Sequence, residues 1–126
     1  MTAGDEITGS RYISLTTFRR DGRPVATPVW QAPHDGELFI VSEADAGKVK
    51  RLRNNTTVRV AVCDLRGRVA PNAPAADGTA RLLSEVETAA ARELIARRYL
   101  LSRIGNGLSR LLRLRRKPII GIAVQL

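Results

Sequence analysis

The clearest periodicity in the chain is TTVRVAVCDL, residues 56–65, where Val58, Val60 and Val62 alternate with Arg59, Ala61 and Cys63. Period two marks a strand buried on one face. Three earlier stretches also read as strands. RYISLTTF (11–18) is rich in β-branched and aromatic residues. PVATPVWQA (24–32) is its return strand, with Pro28 marking an edge or a bulge. ELFIVS (37–42) is the third. Asp21-Gly22 and His34-Asp35-Gly36 supply hairpin turns between them. A short helix is predicted over residues 47–55, with Ser42 or Asp45 as its N-cap. Residues 66–78 hold two prolines and no period, and read as a long loop. GTARLLSEV (78–86) is a fifth strand, and Ser84 with Glu87 has the spacing of a capping box. Residues 86–115 read as helical, broken near Gly105-Asn106-Gly107. PIIGIAVQL (118–126) is a last strand started by Pro118. Residues 1–9 read as loosely ordered. The predicted order is β-β-β-α-β-β-α-β: a mainly β (β+α) fold of six or so antiparallel strands, in a small closed or half-open barrel.

Length and composition narrow the classes. The chain's 126 residues fit one domain, 1–126, with 44% hydrophobic residues. No apolar run is long enough for a membrane span. MTAGDEITGS has no basic-then-apolar signal pattern, so the expected location is cytoplasmic. One cysteine, Cys63, excludes an internal disulfide and a Cys-rich metal site. One histidine, His34, sits in a turn, and no metal site is expected.

The net charge of +9 is concentrated. Residues 92–117 carry nine cations against Glu93 alone. AGKVKRLRNN (46–55) carries four cations and no acid. Two basic patches on a slightly acidic body attract polyanions. Nucleic acid is not the expected partner, because aromatics are only 4% and no recognition motif is present. No phosphate-loop, dinucleotide or nucleophile-elbow motif occurs. No catalytic residue can be named, so an enzyme built on this chain would rely on a cofactor for its chemistry.

On a helical projection of residues 47–55, Val49 and Leu52 make the buried stripe. Lys48 pairs with Arg51 on one flank, and Lys50 and Arg53 lie on the other, facing water. Lys48 falls in the first turn, just after Gly47, where helix amides favour an anion. Two readings stand at this point: a solvated helix face, and a phosphate site built on Lys48 with Arg51 as helper.

RPVATPVWQAPHDGELFIVSEADAGKVKRLRNNTTVRVAV, followed after the loop by GTARL, resembles the pyridoxamine-5′-phosphate-oxidase-like split β-barrel family. The nearest resemblance is to its branch of small oxidoreductases that use the deazaflavin coenzyme F420. It covers roughly residues 10–86. It implies an FMN-binding-like split barrel, with a short helix after strand three and a longer C-terminal helical segment. It implies a homodimer with the cofactor at the interface. It also implies that Lys48 holds the cofactor phosphate, that Thr27, Pro28 and Val29 line the ring, and that Ser42 precedes the phosphate turn. Departures weigh against FMN. Gly47 stands where the flavin oxidases place an Arg, and Ala26 and Gln31 stand where they place an Arg and a Lys. The substrate-binding His and Arg of those oxidases have no counterpart near the C-terminus, so vitamin B6 oxidation is not expected.

Trp30 has two readings, a core aromatic and a ring neighbour of the cofactor. The segment 92–117 has three: solvated arginines on a packed helix, attraction for the cofactor's acidic oligoglutamate tail, and contact with an anionic membrane, which is not expected. The function implied is F420-dependent hydride transfer to a small organic substrate. The rivals are an FMN-binding flavoprotein of the same fold and a non-catalytic cofactor-binding module.

Overall fold

The computed structural model describes residues 2–100 and 118–126. In chain order the elements are α1 (Ala3–Gly9), β1 (Tyr12–Phe18), β2 (Pro24–Trp30), β3 (Ala32–His34), β4 (Glu37–Glu43), α2 (Gly47–Asn54), β5 (Thr57–Val62), β6 (Ala75–Leu82), α3 (Glu85–Leu100) and β7 (Ile119–Gln125). The strands form one sheet in the order β2-β1-β5-β6-β7-β4-β3, with every neighbouring pair antiparallel. This is the mainly β half-open barrel that the sequence predicts.

The two edge strands are consecutive in the chain, and the predicted strand 24–32 runs through the first and ends at Ala32, the first residue of the second. Residues 24–32 divide at Gln31: β2 pairs with β1, while β3 turns to pair with β4. A single bent segment therefore contributes to both ends of the sheet, and the sheet curls around one interior. Ile13 and Leu15 from β1, Leu38 and Ile40 from β4, Val58 and Val60 from β5 and Ile122 and Val124 from β7 fill it. Ile7 of α1 and Leu52 of α2 join this core. On the other face of β4 and β7, Leu83, Ala91 and Ala123 form a second cluster with Phe39 and Val41. Period-two alternation sends neighbouring residues of one strand to opposite faces, and so to the two clusters.

Both predicted hairpin turns form, each with left-handed residues: Gly22 (φ 90°), and Asp35 with Gly36 (φ 48° and 80°). The Ser84–Glu87 capping box also forms: the Glu87 amide donates to Ser84 Oγ (3.2 Å) and the Ser84 amide to Glu87 Oε1 (3.3 Å).

Three local expectations are corrected. Residues 3–9 are helical, not loosely ordered: Thr2 and Asp5 cap each other's backbone amides (3.2 Å each), and Ile7 is fully buried. A seven-residue helix is marginal alone, so tertiary contacts hold it. The N-cap of α2 is Ala46, not Ser42 or Asp45; Ser42 lies within β4 and its hydroxyl donates to the Glu43 carbonyl (3.1 Å). The loop is shorter than 66–78, because Ala75 and Ala76 already pair with Ala61 and Val60. The predicted break near residues 105–107 lies outside the described residues, as does most of the Arg-rich segment. Among the described residues, no helix is long and apolar enough to cross a membrane.

Candidate functional site

Burial along α2 follows the projection. Val49 and Leu52 are buried, Lys50 and Arg53 are exposed, and Lys48 and Arg51 are half-buried. The first turn carries no acid, and Ala46 has no side chain able to cap its amides. The Val49 and Lys50 amides donate to the Ala46 carbonyl (3.1 and 3.3 Å), so the donor set suited to an anion is the Gly47 amide with the Lys48 side chain beside it. Arg51 is held from below: its Nε donates to Thr17 Oγ1 at 2.6 Å, and Thr17 is fully buried in β1. The guanidinium folds back over Gly47, where an added Cβ would lie 2.8 Å from Arg51 Nη1. Burial, and then the charge of Arg19, lower the pKa of Arg51.

The strand residues do not share one surface. Thr27 faces the same way as Val25 and Val29, and Val29 packs on the barrel core. Thr27 Oγ1 is buried and has no hydrogen-bond partner among the described residues. Pro28 points to the opposite, exposed face, against the turn at Gly67. Ser42 is buried in β4.

Trp30 stacks on Tyr99 of α3, with ring centroids 4.9 Å apart at 21°, and lies 6.3 Å from the Tyr12 ring. It borders the cluster of Ala32, Ile95 and Tyr99. Its indole therefore has a packing role independent of any ligand.

Sequence reasoning missed the corner beside it. At Gln31 the chain leaves one ladder before joining the next, so its backbone polar groups need other partners. Tyr99 provides them. Its hydroxyl accepts from the Gln31 amide (3.3 Å) and donates to the carbonyls of Gln31 (3.0 Å) and Arg11 (2.7 Å), which share its proton. The Gln31 side chain is fully buried. Its Nε2 donates to the carbonyls of Ile7, Thr8 and Ser10 at the end of α1 (3.2, 3.1 and 2.7 Å). Arg98 Nη2 donates to the last two as well (3.2 Å each). The one available signal was a lone Gln inside an apolar strand. Cys63 is half-buried, and burial together with Asp64 raises its thiol pKa, which disfavours a nucleophilic thiolate.

A family model described as pyridoxamine 5′-phosphate oxidase matches residues 3–118. No curated protein matches the chain. Similar solved structures include a conserved hypothetical protein from Mycobacterium tuberculosis (21% identity, TM-score 0.67, covering 95% of this chain and 75% of that one). HutZ, the heme storage protein from Vibrio cholerae, is 16% identical with a TM-score of 0.66, over 99% of this chain and 90% of its own. A protein named F420 Reductase is 19% identical with a TM-score of 0.62, over 96% and 90% of the two chains. At these identities the likeness is one of fold.

Proposed function

The chain belongs to the pyridoxamine 5′-phosphate oxidase family, and on that premise we propose that it is an oxidoreductase binding a flavin-type cofactor, F420 in the favoured reading. The observation that carries this reading is the start of α2: an uncapped helix N-terminus without an acid, with Lys48 in its first turn. The orphaned hydroxyl of Thr27 adds a buried polar atom that a cofactor's polar edge would satisfy. These groups fit a phosphate-bearing cofactor. Lys48 and the Gly47 amide would hold the phosphate, and Thr27 would meet a polar ring substituent. When bound, the cofactor would supply hydride transfer. The chain's part is to orient it and exclude water, with no side chain assigned to proton transfer. The small side chains at Gly47 and Ala26 and the neutral Gln31, whose Nε2 is spent on the end of α1 while its buried Oε1 has no partner among the described residues, leave fewer charged ligands than the flavin oxidases have, which favours F420 over FMN.

We place this chemistry at a homodimer interface. Leu65 (71% exposed) and Val69 (45% exposed) stand out near the loop that covers Pro28, as an unfinished apolar surface. Sedimentation of the purified protein checks this; a monomer at tens of micromolar is the contrary result.

Titration of the purified protein with F420 and with FMN tests the cofactor, and tighter FMN binding would reverse the assignment. Lys48→Ala is expected to weaken cofactor binding by about 2 kcal/mol, roughly thirtyfold. Arg53→Ala is expected to leave it within about twofold. Equal losses from the two variants would show that α2 contributes only diffuse charge.

A further inference from the structure

On a different flank of α2, the β1–β2 hairpin and the helix enclose a groove of about 360 Å³. Arg19, Arg20, Arg23, Lys50 and Arg51 line it, over a wall provided by Phe18. Lys48 is not among its lining residues, so Arg51 shares this groove with Lys50 and not with the residue it was paired with on the projection. The single acid in the lining is Asp21, which is already engaged with Arg23 at 2.7 Å. Among the described residues no other acid lines the groove, and residues 101–117 contain neither Asp nor Glu. Four cations are thus gathered without a counter-charge, an arrangement that repels itself unless an anion enters.

The groove is also anchored. Thr17 fixes the Arg51 guanidinium from beneath at 2.6 Å. Arg20 Nη2 reaches Asn54 Oδ1 across the groove at 3.5 Å, tying the hairpin to the helix. Three guanidinium forks without acidic partners and one ammonium match the geometry of phosphate oxygens better than a single carboxylate could. A volume of 360 Å³ is larger than one phosphate needs.

We propose that this groove, which shares Arg51 with the start of α2 but has neither Gly47 nor Lys48 in its lining, is a second anion site that takes a small molecule carrying two linked phosphates. Its occupancy does not depend on which cofactor the chain binds.

The probe is inorganic pyrophosphate, followed by calorimetric titration and by thermal shift, with potassium chloride of matched ionic strength and citrate as comparisons. The expected result is saturable binding to pyrophosphate, weakened at least about tenfold in an Arg19→Ala/Arg20→Ala double variant. Both side chains are exposed, so the variant should fold as the parent does, which its melting temperature without ligand checks. Undiminished binding by that variant would overturn the proposal. So would loss of binding in Lys48→Ala, which would move the anion to the start of α2. Equal stabilisation by potassium chloride would reduce the groove to diffuse charge, and equal binding of citrate would remove the preference for phosphate.

Discussion

Tyr99→Phe is expected to lower the unfolding free energy by about 3–4 kcal/mol, although it deletes one oxygen and leaves no cavity of note. The ring keeps its stack on Trp30, so the packing contribution stays. What goes is the hydroxyl that accepts from the Gln31 amide, together with the donor shared by the Gln31 and Arg11 carbonyls. A buried donor and acceptor left unsatisfied cost about 1–3 kcal/mol each. Urea unfolding followed by Trp30 fluorescence measures the loss, and a fall in melting temperature on the order of 10–15 °C should accompany it. A loss below 1 kcal/mol would mean that water satisfies the corner and that Tyr99 acts by packing alone.

The same hydroxyl sets a pH dependence. Burial raises its pKa above the ordinary tyrosine value, outweighing the lowering effects of the Gln31 hydrogen bond and the Arg98 charge. A group whose folded pKa lies above its unfolded value stabilises fully below the unfolded value, about 10. That contribution is lost as the pH climbs through the raised folded value. Stability of the parent should therefore drop above pH ~10 more steeply than that of Tyr99→Phe.

The corner also shows where the sequence was legible and where it was not. Strands β1, β4, β5 and β7 were readable because each carries its own period-two pattern or a β-branched run between turn signals. Their sheet order was not, because register depends on partners distant in the chain. The stretch 24–32 is one strand by its pattern, and only long-range pairing reveals that Gln31 divides it. α1 was hidden for a related reason. Gly4, Thr8 and Gly9 are poor helix formers, and what holds the helix is a capping box together with Gln31 and Arg98 from elsewhere. On α2 the amphipathic division was legible, since it is a local property of eight residues. The association of Arg51 and Lys50 with Arg19, Arg20 and Arg23 was not, because it needs the β1–β2 turn to lie beside the helix.

Gly78→Val is expected to cost about 3 kcal/mol, and the reason turns a family signature into a packing requirement. Gly78 opens GTARL, the stretch that carried part of the resemblance, and nothing local in that stretch explains why a glycine stands there. Its φ is not in the left-handed region, so conformational freedom is not the cause. Close approach is. A Cβ on Gly78 would lie 2.5 Å from the Gln125 carbonyl oxygen and 3.1 Å from Leu126 Cδ2. The first neighbour is backbone and cannot rotate away. Relief requires β7 to shift from β6, loosening the Thr79–Gln125 pairing next to it. Because β7 also pairs with β4, whose end leads into α2, that shift should reach the proposed cofactor site. Chemical denaturation gives the stability loss, and F420 titration of the folded variant gives the second readout. Gly9→Ala is the control: a Cβ there meets nothing within 4 Å, and its stability should change by less than about 1 kcal/mol. If Gly78→Val proves as neutral as Gly9→Ala, the strand end at Gln125 is not held against β6, and the contact does not explain the glycine.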